Sequence, residues 1–294
     1  MVSLAAKGER AALTSGRRRT ALTPARLGLY GFVVLFLLWT LVPIIWMVLS
    51  SFRTQASMLS MPPKLFVPFD TYSYWFMFFG GGGFGHYLLN SVIAAGGSTL
   101  IALVLGALGG YGLARGTWRR KADISFWIIS TRMAPIAAVI VPLYMTFRQF
   151  NLLDSLVGLI VAYCTFNLPF AIWIMQAFFR DLPRDLEESA KVDGCSTFGA
   201  FWRVALPLVT PGLVATGVLC LVFAWNDYAF ATTFTGHNTQ TIPVAASQLI
   251  TQQGVIWGQL MATGTIILTP MAICGVAIRR WLVRGLTMGA MSGQ

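Results

Sequence analysis

The chain has 294 residues, of which 56% are hydrophobic and only 11% are charged, and its mean hydropathy is +0.69. Soluble globular domains carry about 25% charged residues, so this composition excludes an ordinary water-soluble fold. The net charge is +11. Basic loops that set membrane topology and attract anionic lipid headgroups account for this charge, and we therefore expect membrane lipid but no nucleic acid among the partners.

Six segments are long and apolar enough to cross a bilayer, which takes about 20 residues in a helix. They cover residues 27–51, 87–114, 124–147, 156–179, 206–230 and 256–278. The first follows a basic stretch, but it is too long for the apolar core of a signal peptide and lacks a small-residue cleavage site, so we interpret it as a retained span. The sequence thus predicts an all-α integral membrane protein with six transmembrane helices.

The positive charges lie mainly on one side of these spans. Of the 21 Lys and Arg, 17 fall in the N-terminal tail, between spans two and three, between spans four and five, and after span six. Because cytoplasmic loops carry an excess of Lys and Arg, both termini are predicted to be cytoplasmic. We expect a basic tail over 1–26, a transmembrane domain over 27–283 and a C-terminal tail over 284–294.

No motif for catalysis, metal binding or nucleotide binding is present in the sequence. The four cysteines, Cys164, Cys195, Cys220 and Cys274, have no paired spacing. The glycine run at 80–85 lacks the lysine of a phosphate-binding loop, and we interpret it as an outer turn before span two. We expect no catalytic residue, no metal and no cofactor on this chain, so energy for uphill transport would have to come from a partner.

A charged loop over residues 181–206 joins spans four and five, and residues 182–195 read LPRDLEESAKVDGC. Asp181 or Leu182 can cap a helix that has Pro183 in its first turn and that Gly194 ends. Ser196 can cap a second short helix whose apolar side is predicted to carry Phe198, Phe201, Trp202 and Ala205. From the residues alone, this helix–turn–helix is either a passive connector on lipid headgroups or a docking device.

The pattern Glu188-Ser189-Ala190-x-x-Asp193-Gly194, followed by Leu206-Pro207, resembles the EAA loop of ABC-importer permeases. Ser189 and Cys195 stand where the family commonly has Ala, and both are small replacements. Further stretches at 141–144 (VPLY), 168–173 (LPFAIW), 224–228 (AWNDY) and 282–290 (LVRGLTMGA) narrow the resemblance. They are similar to the carbohydrate-importer permeases of the maltose-transporter type, and specifically to the shorter six-helix subunit.

This resemblance implies a type I ABC-importer permease in a prokaryotic plasma (inner) membrane, working by alternating access. It also implies a homologous second permease, two copies of an ABC ATPase subunit that bind ATP and Mg²⁺, an extracytoplasmic solute-binding protein and a carbohydrate substrate. The EAA-type loop implies a coupling helix that docks on the ATPase. The residues assigned to it are Glu187, Glu188, Ser189, Ala190, Asp193, Gly194, Phe198 and Pro207.

Two other regions match functional parts of the family. The outer segment 234–258 matches the loop that reaches into the binding protein, with His237, Asn238 and Gln248 as contact residues. The C-terminal tail 287–294 matches one that contacts the ATPase dimer.

Polar residues within apolar spans are the candidates for the solute path, because they are costly in lipid unless they are paired or face water. They are Arg132, Asn167, Asn226, Asp227 and Tyr228. Two other interpretations remain open. Arg132 can form a structural ion pair with Asp227 or contact the sister permease, and Asn226 and Asp227 can cap span five and shape the outer turn.

Other functions remain open as well. A self-contained secondary carrier would need an acid near the middle of a span, and the sequence places none there. A membrane anchor that only recruits a cytosolic partner would leave Arg132 and the outer loop without a role. Within the importer family, the motifs do not distinguish sugars and polyols from glycerol phosphate or another small polar solute.

Overall fold

The computed structural model describes residues 24–62, 64 and 67–291. The predicted basic tail up to residue 23 and the end of the C-terminal tail, residues 292–294, lie outside these. The described chain is almost entirely α-helical. The exception is a two-residue antiparallel hairpin, β1 (Ile250–Thr251) with β2 (Gly254–Val255), which pairs Ile250 with Val255.

The chain divides into two units, residues 1–46 and 47–294. The described part of the first unit is residues 24–46 of helix α1 (Pro24–Ser50), and residues 47–50 of this helix belong to the second unit. From Leu27 to Ser50 this helix has no charged residue, and its side chains over 29–42 are exposed. Its 27 residues make about 40 Å of helix, enough to cross a bilayer.

The second unit contains thirteen α-helices over the described residues, several of them only one turn long. In chain order they are α2 (Gln55–Met58), α3 (Tyr72–Phe78), α4 (Phe84–Arg115), α5 (Lys121–Ser130), α6 (Ile136–Gln149), α7 (Leu156–Asp181), α8 (Asp185–Val192), α9 (Thr197–Ala200), α10 (Leu206–Leu208), α11 (Thr210–Trp225), α12 (Ala229–Phe234), α13 (Ile242–Gln248) and α14 (Trp257–Met291). A 3₁₀ turn (Thr131–Met133) follows α5, and a π turn (Phe201–Ala205) follows α9.

Four helices of the described chain, α1, α4, α7 and α14, are each long and apolar enough to span a membrane. The predicted spans over 124–147 and 206–230 are each divided into two helices. The first bends by 93° between Met133 and Ile136, and the second bends by 75° between Leu208 and Thr210. Counting each bent pair as one span gives the six predicted spans.

Proline explains the break in the third span. Ala134 and Pro135 have extended ψ angles of 134° and 133°, because the residue before a proline avoids the helical region and proline itself has no N–H to donate. The fifth span ends earlier than predicted, at Trp225, and the chain turns through 226–228 before α12.

Close packing of α4 against α7 forms the centre of the second unit, and α11 packs on both. On α4 the buried face consists of small residues four apart, one on each turn of the helix. They are Ala94, Ser98, Ala102, Gly106 and Gly110. Small residues allow two backbones to approach closely, which drives helix association in lipid, where the hydrophobic effect between helices is absent.

At the end of the unit remote from α8, Asp154 holds the loop 235–241, which lies in the predicted outer segment 234–258 and is called the outer loop. Asp154 has φ +48°, a left-handed conformation that aspartate tolerates. Its Oδ1 accepts bonds from the Thr239 hydroxyl (2.6 Å) and the Gly236 amide (2.9 Å). The bond from Thr239, helped by the backbone amides, holds the pKa of Asp154 below its ordinary value despite some desolvation.

The same loop is also held from α4. His86 Nε2 lies 2.6 Å from the carbonyl oxygen of Asn238, and Asn90 Nδ2 donates to the carbonyls of Asn238 (3.1 Å) and Gln240 (3.0 Å). The backbone of the loop is therefore fixed by side chains from two neighbouring segments.

We predict that adding a side chain at Gly106 or Gly110 separates α4 from α7. A Cβ atom would lie 2.6 Å from the Ala171 Cβ at Gly106, and 2.7 Å from the Gln176 amide nitrogen at Gly110. Gly106→Val should destabilise the purified chain by about 1–3 kcal/mol, measured by thermal unfolding in detergent. Gly112→Ala is the control, because no atom lies within 4 Å of its added Cβ. Equal unfolding temperatures for the two variants would contradict the packing argument.

We predict that the outer loop loosens in acid. A carboxylate whose pKa is lowered by folding stabilises the loop at neutral pH. This stabilisation is lost as the pH falls below the unfolded pKa of about 3.9 and through the lower folded one. Hydrogen exchange of residues 234–241, corrected for intrinsic rates, should accelerate at pH 3, and Asp154→Ala should produce the same loosening at pH 7. Asp123→Ala, at an exposed position on α5, should leave the loop protected.

Candidate functional site

The short helix α8 begins later than predicted. Helix α7 continues through Asp181, so neither Asp181 nor Leu182 caps α8, and Pro183 precedes it. Instead the carbonyl of Arg184 accepts the amides of Glu187 (2.9 Å) and Glu188 (3.0 Å). Residues 182–184 thus form a non-helical link between α7 and α8.

The turn after α8 follows the prediction. Gly194 has φ +90°, its amide donates to the Lys191 carbonyl (3.0 Å), and the Cys195 amide donates to the Ala190 carbonyl (2.9 Å). This is the Schellman arrangement, which needs glycine at the left-handed position. Ser196 then caps α9 by accepting the Gly199 amide (3.1 Å).

Glu187 fixes α8 to the rest of the second unit. Its carboxylate is buried and forms an ion pair with Arg115 at the end of α4, with Arg115 Nη2 2.7 Å from Oε1. Tyr111, one turn earlier on α4, donates its hydroxyl to the other oxygen, Oε2, at 2.7 Å. Glu187 therefore faces into the chain, unlike the other acids of α8.

Most of the other predicted coupling residues are exposed, while Ala190 is half-buried. The exposed ones are Glu188, Ser189, Asp193, Gly194, Phe198 and Pro207. Val192 adds an apolar side chain to this surface with 87% of its area exposed. Helix α8 consequently presents acidic, small and apolar groups outward from a fixed position.

Only half of the predicted apolar side of the segment formed by α9 and the following π turn is buried. Phe201 and Ala205 are buried, whereas Phe198 and Trp202 are exposed. Residues four apart share a helix face, so these two pairs form separate stripes. Phe201 packs against Tyr111 with tilted rings, whose centroids lie 4.8 Å apart.

A second feature lies at the break in the third span. A cavity of about 550 Å³ is lined by both sides of the break, together with residues of α7, α11 and α12. The lining residues are Thr131, Arg132, Ala134, Ile136, Val139, Thr165, Phe166, Phe223, Asp227 and Phe230. Irregular backbone at membrane depth is tolerated where it lines such a cavity or is buried in protein.

Arg132 does not form the ion pair with Asp227 that the sequence suggested. Its guanidinium carbon lies 4.4 Å from the ring centroid of Phe170 and 4.3 Å from that of Phe223. Two aromatic faces stabilise the cation, while the donors on its edge form no hydrogen bond to a described residue. Asp227 lines the same cavity.

The other predicted path residues have structural partners. Asp227 Oδ1 accepts the amides of Phe230 and Ala231, both at 3.1 Å, and Asn226 Nδ2 donates to the Val222 carbonyl at 2.8 Å. Both therefore shape the outer turn, as the alternative interpretation proposed. Asn167 is fully buried and donates to the Cys220 carbonyl (3.1 Å), which joins α7 to α11 away from the cavity.

Tyr228 and the three predicted binding-protein contacts lie around the outer loop. Tyr228 is exposed, with its hydroxyl 3.5 Å from Ser247 Oγ. His237 and Gln248 are exposed, and Gln248 Nε2 donates to Gln240 Oε1 at 3.2 Å. The side chain of Asn238 is exposed too, but its backbone carbonyl is held by α4.

Several functional candidates were not apparent from the sequence. From the sequence, Arg115 was interpreted only as one of the positive charges that indicate membrane topology, and neither Tyr111 nor Asp154 was selected. The two phenylalanine rings beside Arg132 lie 38 and 91 residues further along the chain, so their contact with it could not be recognised. In the described part of the chain no group of three or more His, Cys, Asp or Glu could hold a metal ion.

Comparison with known proteins defines the family. Residues 102–288 match the family described as "Binding-protein-dependent transport system inner membrane component". The chain is 34% identical over 265 residues to the probable ABC transporter permease protein y4oR of Sinorhizobium fredii, covering 87% of this chain and 95% of that protein. It is also 34% identical over 258 residues to the trehalose transport system permease protein SugB of Mycobacterium tuberculosis, covering 87% and 93%.

The fold agrees with these relatives. A chain of a bacterial ABC transporter involved in the import of the acidic polysaccharide alginate superposes with a TM-score of 0.72 and 22% identity, covering 86% of this chain and 95% of that one. The predicted multi-pass fold of an ABC-importer permease is confirmed. The chain therefore belongs to the family of inner-membrane permease components of binding-protein-dependent transport systems.

Proposed function

We propose that this chain is one of two permease subunits in an ATP-driven importer of a carbohydrate or polyol. Its relatives include permeases named for trehalose, diacetylchitobiose and sulfoquinovosyl glycerol, which supports a glycosidic solute. ATP and Mg²⁺ would bind to separate ATPase subunits, because the sequence has no nucleotide-binding motif. A solute-binding protein on the outer side would deliver the solute.

The observation that carries this proposal is the position of α8. The helix is attached to α4 through the buried Glu187, and it presents Glu188, Asp193 and Val192 outward. A passive connector on lipid has no need for an acidic outer face, since headgroup surfaces are anionic. An exposed acidic and apolar helix on a rigid attachment suits docking into a cytosolic subunit.

This assignment also sets the sidedness. Helix α8, with Lys191 in its last turn and Arg184 just before it, would lie in the cytosol, in agreement with the charge distribution along the chain. The outer loop with His237 and Gln248 then faces the binding protein. Closure of the two ATPase subunits would bring the coupling helices of the two permeases together and open the bundle outward, which is alternating access.

The cavity at Arg132 supports a role in the solute path. It combines unused guanidinium donors, the carboxylate of Asp227 and the faces of Phe166, Phe223 and Phe230. Opposite charges and aromatic surfaces together suit a neutral, hydroxyl-rich ring better than a strongly anionic solute. The sister permease would close the open side of this cavity.

We predict that Glu188→Lys or Gly194→Pro leaves the protein inserted but uncouples it from the ATPase. Lysine reverses the charge of the docking face, and proline cannot adopt the φ of +90° or donate to Lys191. Co-purification of the ATPase subunits and ATP hydrolysis stimulated by the binding protein should both be measured. Loss of stimulation, with or without loss of assembly, is the expected outcome.

Asp123→Lys provides the control for this experiment. It reverses one exposed carboxylate on α5 without touching α8. Assembly and stimulation at the parent level in Glu188→Lys and Gly194→Pro would make α8 only a connector and refute the proposed coupling.

We predict that Arg132→Gln raises the KM for uptake about tenfold or more, the equivalent of one hydrogen bond to a charged group. The solute would be the ligand that mass spectrometry identifies in the co-purified binding protein. Arg148→Gln, an exposed change outside the cavity, should leave the KM unchanged. An unchanged KM in Arg132→Gln would remove this residue from the solute path.

A further inference from the structure

In the cluster of Arg115, Tyr111 and Glu187, both oxygens of one buried carboxylate accept hydrogen bonds. Arg115 Nε donates to Glu187 Oε1 at 2.8 Å, and the Tyr111 hydroxyl donates to Oε2 at 2.7 Å. Arg115 Nη2 additionally donates to the carbonyl of Leu182 at 2.9 Å. The guanidinium therefore bonds both to α8 and to the link that precedes it.

The surroundings make this geometry well defined. The Arg115 and Glu187 side chains are only 14% and 4% exposed. A buried pair is stable only when its hydrogen bonds are satisfied, so few alternative arrangements are available. The Tyr111 ring adds contacts to Phe179 on α7, at 5.3 Å, and to Phe201 after α9, at 4.8 Å.

Helix α4 reaches from this cluster to the outer loop. Arg115 is its last residue, and near its other end His86 and Asn90 bond the carbonyls of Asn238 and Gln240. Its 32 residues span about 48 Å. One continuous helix thus joins the proposed ATPase-docking helix to the proposed binding-protein loop.

We propose that Arg115, Tyr111 and Glu187 form a positioning clamp that makes α8 and α4 move as one body. The clamp rests on the proposed function, in which α8 receives the motion of the ATPase. On its N-terminal side α8 is connected to α7 by the non-helical link 182–184, which can rotate and absorb a displacement. With the clamp closed, the displacement passes into α4 and along it to the loop at Asn238.

The clamp can be tested on the full chain in detergent without any partner. Spin labels would be placed at Thr117, just beyond α4, and at Val192 on α8, both exposed, after replacement of the four native cysteines. The parent should give a single narrow distance distribution. Glu187→Gln and Tyr111→Phe should lose that narrow peak, while Asp185→Asn, the same chemical change at an exposed position of α8, should keep it. An unchanged distribution in Glu187→Gln overturns the clamp.

The second test uses the assembled complex. In Glu187→Gln the ATPase subunits should still co-purify, but stimulation of ATP hydrolysis by the binding protein should fall about two- to thirtyfold, the range of a typical coupling energy. Tyr111→Phe, which keeps the ring contacts, should show a smaller loss. Full stimulation despite a broadened distance distribution would overturn the clamp as a transmitting element. Failure of the parent to bind any ATPase subunit would refute the proposed function. The clamp would still be tested in that case, because the distance measurement on the chain in detergent does not require the ATPase.

Discussion

Close contact between α4 and α7 is the constraint on which the rest of the second unit depends. In lipid, helices gain little from burying apolar surface against each other, so association relies on van der Waals packing and hydrogen bonds. The small residues of α4 provide that packing, because an added Cβ at Gly106 or Gly110 would lie within 3 Å of α7. Helix α11 packs on both helices, and Asn167 ties it to α7 through the Cys220 carbonyl.

The break in the third span and the turn that follows the fifth span coincide with the polar residues of the site for a physical reason. Backbone that leaves the helix inside a membrane must be paired or must face a cavity. After α11 the carboxylate of Asp227 accepts two free amides at the start of α12. At the third-span break the chain borders a cavity and places Arg132 between two phenylalanine rings. Polar side chains at these two places therefore stabilise the fold, and Arg132 and Asp227 also line the cavity that we propose for the solute path.

The sequence was most informative where local chemistry decides the structure. The apolar segments predicted most ends of helices α1, α4, α7 and α14 to within a few residues. The exception is the end of α14, which lies well beyond the predicted limit at residue 278. Gly194 and Ser196 predicted the turn after α8 correctly. Glycine is the preferred residue at a left-handed position after a helix, and serine is a preferred N-cap, so both can be recognised in the sequence. The break at Pro135 was missed because proline occurs in membrane helices without ending them, as Pro169 does within α7.

Contacts distant in sequence could not be predicted in the same way. Arg115 and Glu187 are 72 residues apart in the sequence. Each also fitted another role: Arg115 was interpreted as a charge that indicates membrane topology, and Glu187 as an acid that docks on the ATPase. The expected pair of Arg132 with Asp227 was wrong because charge alone suggested it, while two aromatic rings stabilise the cation instead. Pairing across a bundle depends on helix rotation, which apolar periodicity fixes poorly when nearly every position is apolar.

The adjacent acids Glu187 and Glu188 show how one short helix, α8, can serve two purposes. Successive residues of an α-helix point about 100° apart, so Glu187 and Glu188 cannot face the same neighbour. Glu187 points to Arg115 and is buried, and Glu188 is exposed beside Val192 and Asp193. An exposed docking residue transmits force only if its helix is held in place. Two adjacent glutamates with opposite surroundings meet both needs: the first attaches the helix to α4, and the second is available to a partner.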